Sequence, residues 1–260
     1  MSKSFIYGLI VGIVLLIVGV SAGSRIQQKN SKETEAQREL RLFEKEVVDA
    51  TPTQLGVLTA RQQSHSKLYS IYKERLRRKI SDFIAHPEGK VLGVGLGVGL
   101  GPSLKESQTP GEYFGKLANA SDAIIRGRVV QKASQITEDD TFIFTDYDVE
   151  VTEVFKDNAA SPLATGRNTV VTRPGGKIVV DGIIVEVTDD HFLPLPVDGK
   201  EVVLFLHYIP ETGAYQATRD TGSFQLDGEI LRPLTALRFP PGVLRDSNSF
   251  LETVRAIQNK

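Results

Sequence analysis

Ala123-Ile124-Ile125-Arg126-Gly127-Arg128-Val129-Val130 alternates, with Ile125, Gly127 and Val129 on one face and Arg126 and Arg128 on the other. A period of two marks a strand buried on one side. Thr141 to Phe155 repeats the pattern: Tyr147, Val149 and Val151 oppose Asp146, Asp148 and Glu150. Paired antiparallel, the two strands set arginines against carboxylates across the outer face, each pair contributing roughly 0.2–1 kcal/mol. The acidic row thus has a structural reading. A calcium site is the alternative, but hard cations gather ligands from a loop that wraps the ion, which a straight strand cannot do.

Working outward, turn residues separate further strand-like segments: Thr169–Thr172, Ile178–Val180, Ile183–Val187, Glu201–Tyr208, Ala214–Thr218, Ser223–Leu226 and Glu229–Leu231. Asp181-Gly182 and Asp227-Gly228 lie between apolar runs and read as tight hairpins. Many short strands with such turns predict an antiparallel barrel or sandwich. A short helix over Glu112 to Ala120 precedes them. At the other end Ser249 and Glu252 form a capping box before Phe250, Leu251, Val254 and Ile257, an amphipathic helix expected to pack on one end of the barrel.

Three stretches carry a resemblance: Leu117 to Val130, with Leu117-Ala118-Asn119-Ala120-Ser121-Asp122 leading into the first strand; Tyr147 to Asp157, ending Glu153-Val154-Phe155-Lys156-Asp157; and Gly199-Lys200-Glu201-Val202-Val203-Leu204-Phe205-Leu206. Together they resemble the netrin-like domains of the tissue inhibitors of metalloproteinases, and bacterial secreted domains with no assigned activity. The resemblance spans about residues 115–235 and implies an OB-like five-stranded barrel. Those inhibitors chelate the protease zinc through an N-terminal cysteine. This chain has no cysteine, so that chemistry is not carried over, and disulfides, thiolate zinc sites and thiol nucleophiles are excluded with it.

Upstream, residues 91–101 alternate glycine with branched apolar residues. There is no G-x-G-x-x-G and no GK[ST], so the phosphate-loop reading fails, and residues 91–111 are expected to be a strand or extended connector docked on something apolar. Residues 24–90 read as a helical stalk. Ala36, Leu40, Phe43 and Val47 form one apolar stripe; Thr51, Pro52 and Gln54 offer a capping box for a second helix, striped by Leu68, Tyr72, Leu76, Ile80 and Phe83.

Residues 5–22 contain no charged side chain. At about 1.5 Å per residue this run approaches the thickness of a bilayer's hydrocarbon core. Residues 1–23 are therefore a transmembrane signal anchor, with a signal peptide cut after Ala22 as the alternative; retention is favoured because the run exceeds an ordinary signal core. Gly8, Gly12, Gly19 and Gly23 share one helical face on which a second copy could pack, although glycine is common in membrane helices.

Charge is segregated. Residues 24–90 carry fourteen Lys or Arg against nine Asp or Glu, and residues 103–260 sixteen against twenty-three. An OB-like barrel of that acidity lacks the electrostatic footprint of a nucleic-acid binder. Catalytic candidates are few. Among His65, His86, His191 and His207, a cluster is conceivable if Asp189-Asp190-His191 meets His207 at the end of its strand, giving a metal ligand set or an acid–base pair.

The basic residues following the apolar run favour a cytoplasmic C-terminal part by charge counting. The signal-anchor layout and the resemblance to exported domains favour the other side, and the extracytoplasmic placement is taken. The expectation is an α+β chain: a single-pass membrane helix (1–23), a stalk (24–90), a connector (91–111) and an OB-like β-barrel with a C-terminal helix (112–260). Its function is read as non-enzymatic binding of a protein or envelope partner without a cofactor. A metal-dependent enzyme and a homo-oligomeric assembly protein are the alternatives.

Overall fold

Each of the nine strand-like segments read after residue 109 is a strand in the structure. The computed structural model describes residues 53–54, 56–70, 79–85, 91–96, 109–180, 182–189, 192–218, 222–235 and 246–258. In chain order these hold β1 (Thr53–Gln54), α1 (Ala60–Tyr69), α2 (Ile80–Ala85), β2 (Val91–Leu96), α3 (Pro110–Asn119), β3 (Ala123–Ile136) and β4 (Ile143–Lys156). Then follow β5 (Asn168–Pro174), β6 (Gly176–Val180), β7 (Ile183–Asp189), β8 (Glu201–Ile209), β9 (Ala214–Ala217), β10 (Ser223–Asp227), β11 (Ile230–Pro233) and α4 (Ser247–Gln258). The fold is mixed α+β with sheet predominating.

Five strands close on themselves. β3 pairs with β4 and β8, β4 with β5, β5 in parallel with β9, and β9 returns to β8. Closing the ring protects the edges of these strands where they pair. β8 divides its second edge: Glu201–Leu204 pairs with β10, which continues to β11, and Leu206–Ile209 pairs with β9. Outside the ring, α3 and α4 cover Ile124, Phe155, Val203, Phe205 and Phe224 with Phe114, Leu117, Phe250, Leu251 and Val254. Phe114 sits at the centre, with the Phe250 ring 4.8 Å and the Phe224 ring 5.7 Å away. Ile125, Val202 and Leu204, on the opposite strand faces, are fully buried.

A second sheet, ordered β1-β6-β7-β2, is built around the β6–β7 hairpin. At the expected Asp181-Gly182 turn Val180 pairs with Ile183 and Gly182 sits at φ +78, with Asp181 outside the described residues; the Asp227-Gly228 turn is there, with Gly228 at φ +60. β1 adds to β6 and β2 to β7, both in parallel. The glycine-alternating stretch is thus a strand over Val91–Leu96, and residues 97–108 lie outside the described residues. Ile178, Val185 and Val187 of this sheet share a second core with Tyr69, Ile80, Phe142 and Phe144.

Three expectations are corrected. The stalk helix expected from Thr51 is replaced by β1, and α1 begins eight residues later: the Thr59 hydroxyl accepts from Gln62 N at 3.3 Å, while Gln62 Oε1 accepts from Thr59 N at 2.9 Å. Two capping boxes compete in the sequence, and the one whose helix packs on the strands is used. The described parts of residues 24–90 are therefore built into the sheets and second core instead of standing apart as a stalk, and residues 47–260 form one compact unit. On the outer face of the ring Arg128 stands opposite Glu150, one of the expected carboxylates, while the ion pairs of Arg126 and Arg128 are made with Glu201 and Glu153. Bulges after Ile124, Arg126 and Val129 shift the β3–β4 register, leaving Val130 half exposed. The helix expected from Ser249 begins at Ser247, with Asp246 accepting from Asn248 N and Ser249 N.

No described helix is long and apolar enough to cross a membrane. Residues 5–22, with Gly8, Gly12, Gly19 and Gly23, lie outside the described residues.

Candidate functional site

The α1 sequence Ala-Arg-Gln-Gln-Ser-His-Ser-Lys-Leu-Tyr has almost no apolar face, yet Gln62, His65, Ser66 and Tyr69 are all buried. Their spacing of three, one and three places them on one side of a helix. Each has a partner there. Ser66 Oγ accepts from Glu138 N at 2.7 Å, the Tyr69 ring stacks on Phe144 at 5.5 Å, and the Tyr69 hydroxyl accepts from Gln216 Nε2 at 3.2 Å.

His65 lies at the centre and has no exposed surface. Its Nδ1 is 2.8 Å from Asp146 Oδ1 and its Nε2 is 3.1 Å from Thr212 Oγ1. A carboxylate can only accept, so Nδ1 carries a proton toward Asp146. Carboxylate, imidazole and hydroxyl in line are the arrangement of acyl-transfer triads. Here the imidazole is sealed under α1, and the Thr212 hydroxyl is also held in its turn, accepting from Ala214 N at 3.3 Å. The line acts as a three-point clamp, joining a helix, strand β4 and the turn between β8 and β9.

Where β3 and β4 run past the β5–β6 link, a cleft of about 50 Å³ opens against the second sheet. Lys132, Arg173, Lys177 and Glu186 line it with Phe192 and Leu193. Arg173 is 2% exposed, its guanidinium 5.3 Å from the centre of the Phe192 ring and its Nη2 3.4 Å from Leu234 O. Lys177 pairs with Glu186 at 4.0 Å. Burial lowers the Lys132 pKa, the Lys177 charge lowers it further, and Glu186 works in the opposite direction. Burial raises the Tyr147 pKa, with Arg173 opposing. Gly176 forms part of the wall at φ +151, and a Cβ there would fall 2.2 Å from Thr145 Oγ1. A second groove, of about 210 Å³, lies beside Arg61, Asp146 and Asp148 and shares Lys132 and Tyr147 with the cleft.

Of the expected cluster, the described residues include His207 and the backbone of Asp189. His207 is half exposed on β8, its Nδ1 3.6 Å from Asp122 Oδ2, and it is not among the residues lining the cleft. Asp189 closes β7 opposite Leu96, while Asp190 and His191 lie outside the described residues. Their neighbours Thr188 and Phe192 do line the cleft. Asp146, once a candidate calcium ligand, faces His65, and Asp148 accepts from Asn168 Nδ2 at 3.4 Å. Among the described residues no group of three His, Cys, Asp or Glu side chains could hold a metal ion. Sequence reasoning missed His65 and Arg173. For His65 the available signal was the polar spacing 62, 65, 66, 69 behind a capping box; for Arg173 there was none.

Neither a family model nor a curated protein matches this chain.

Proposed function

We propose that this chain is a membrane-anchored, non-enzymatic protein. It is held by a helix over residues 5–22 and presents an acidic OB-like, netrin-like barrel to a protein or envelope partner outside the cytoplasm. The barrel reading is supported by the ring order β3-β4-β5-β9-β8 with its parallel β5–β9 pair, the circuit expected of a five-stranded OB barrel. The observation that carries the binding role is the sealed His65 line: the fold spends both imidazole nitrogens on its own scaffold, at a site without exposed imidazole surface. The acidity of residues 103–260 turns the reading away from nucleic acid.

The absence of cysteine makes a clean topology test. Val57 is 96% exposed, so Val57→Cys introduces one accessible thiol into an otherwise thiol-free chain. In intact cells it is expected to react with a membrane-impermeant maleimide, and the protein is expected to stay with the membrane through carbonate extraction. Labelling only after lysis overturns the extracytoplasmic placement; release by carbonate overturns the anchor.

A further inference from the structure

The groove beside α1 sets unlike charges around a space that they do not close. Its floor is two rows of the ring: Gln131, Asp148 and Val170 are register partners on β3, β4 and β5, and Ala133 and Asp146 are partners two residues away along the same strands. Alternation sends Asp146 and Asp148 to one face of β4, roughly 7 Å apart along the strand. The wall is the start of α1, with Thr59, Arg61 and Gln62. Arg61 and Lys132 line the same groove, and among the described residues neither makes an ion pair with Asp146 or Asp148.

Two buried side chains that line this groove each leave a polar atom unspent. Asp146 is 9% exposed; His65 Nδ1 holds its Oδ1 at 2.8 Å, and its Oδ2 has no hydrogen-bond partner among the described residues. Gln62 is 8% exposed; its Oε1 accepts from Thr59 N at 2.9 Å, and its Nε2 has no acceptor among the described residues. Buried polar groups are normally paired. An acceptor and a donor left open on one groove therefore call for a ligand that supplies the complement of each. Asp146 and Asp148 require a positively charged N–H donor. Gln62 and Arg61 require an oxygen acceptor with negative charge, which the positive end of α1 also favours.

We propose that this groove binds a zwitterionic α-amino acid, its ammonium between Asp146 and Asp148 and its carboxylate on Gln62 Nε2 and the Arg61 guanidinium. The space, about 210 Å³, suits one small molecule, being below the roughly 300–1,000 Å³ of pockets that enclose drug-sized ligands. Ala133 and Val170 give the floor an apolar part for the ligand's side chain. His65 is a positioning residue: by holding one oxygen of Asp146 it fixes where the other stands. This assignment is independent of how the chain is anchored and of what its barrel meets.

The test is calorimetric titration of the full chain in detergent micelles with L-alanine, L-serine and L-leucine, against sodium chloride. At least one amino acid is expected to saturate below about 10 mM. Its N-acetyl and its amide derivative, each lacking one of the two charges, are expected to bind at least ~10-fold more weakly, since a charge-assisted contact is lost. Asp148→Asn and Arg61→Gln should weaken the amino acid by a similar factor. So should Gln62→Glu, which keeps an acceptor for the α1 capping box while replacing the donor with a like charge. Asp146→Asn keeps an oxygen for His65 Nδ1 and should do the same. Asp198→Asn, on an exposed pair with Lys200, should change nothing. Circular dichroism confirms that each variant is folded, and if Asp146→Asn does not fold, Asp148→Asn and Gln62→Glu decide. Saturation by none of the three amino acids, equal binding of either derivative, or unchanged affinity in the folded groove variants overturns the site.

Discussion

The surroundings of Lys132 lower its pKa, first by burial and then through the Lys177 charge. Between that lowered value and the ordinary 10.5 the unfolded chain binds more protons than the folded one. Stability from this group therefore rises with pH through the window and is lost below it. Lys132→Met is accordingly expected to raise the melting temperature at pH 7, with the advantage shrinking as the pH approaches the lysine's ordinary range. Thermal melts from pH 7 to about 10 check this. Tyr147 acts in the opposite sense: burial raises its pKa, so its contribution is complete below 10.0 and is lost as pH rises through the raised value.

His65 makes the contrary prediction. Replacing it with Ala removes hydrogen bonds to Asp146 and Thr212 and leaves a mostly buried carboxylate without its imidazole. The expected cost is about 3 kcal/mol, read from urea unfolding. With Asp146→Ala the two losses should fall short of additive by roughly 1 kcal/mol or more, because both variants break one contact. Gly176→Ala tests the backbone in the same way. A methyl group 2.2 Å from Thr145 Oγ1, on a residue at φ +151, should destabilise by about 2 kcal/mol.

Among the elements, α4 depends on Asp246. Hydrogen bonds from the Ser249 hydroxyl and from Asn248 N and Ser249 N hold its carboxyl below the ordinary range. Stability from a lowered carboxyl is present above the ordinary 3.8 and is lost as pH falls through the lowered value. Asp246→Ala should therefore speed amide exchange across residues 247–258 at pH 7 and match the wild type in strong acid. The strands from Ala123 to Leu231 were legible because they alternate or form short apolar runs and most end at a recognisable turn. The β3–β4 register was not, since bulges leave no mark in an alternation read one strand at a time. Nor was α1 legible: its buried face holds Gln62, His65 and Ser66, which a search for apolar stripes passes over. The partial burial of Ile257 on the α4 core agrees with what local pattern predicted, while the Thr109–Glu112 capping box that starts α3 was not read from the sequence.

At the scale of the molecule, the pieces that sequence reading separated are interleaved. Residues 53–54 and 91–96 complete a sheet whose centre comes from residues 176–189, so composition drew a border where hydrogen bonds cross. Parallel pairing of segments far apart in sequence has no local signature, which is why the connector and stalk read as independent. The cleft with its three cations lies where this sheet meets the ring, and no linear motif announced it.

Those parallel pairs also set an order of events in time. Thr53 pairs with Ile178, and Val91 with Ile184. The earlier strand of each pair leaves the ribosome while its partner is still unmade, and synthesis at about 5–20 residues per second keeps it waiting for several seconds. Contacts of such long sequence separation are slow to form even once both strands exist. During that interval β1 and β2 are unprotected edges, open to pairing with a neighbouring nascent chain. Birth of this protein therefore includes a vulnerable phase that ends when the β6–β7 hairpin arrives, and a chain stopped near residue 175 should aggregate where the full-length chain does not.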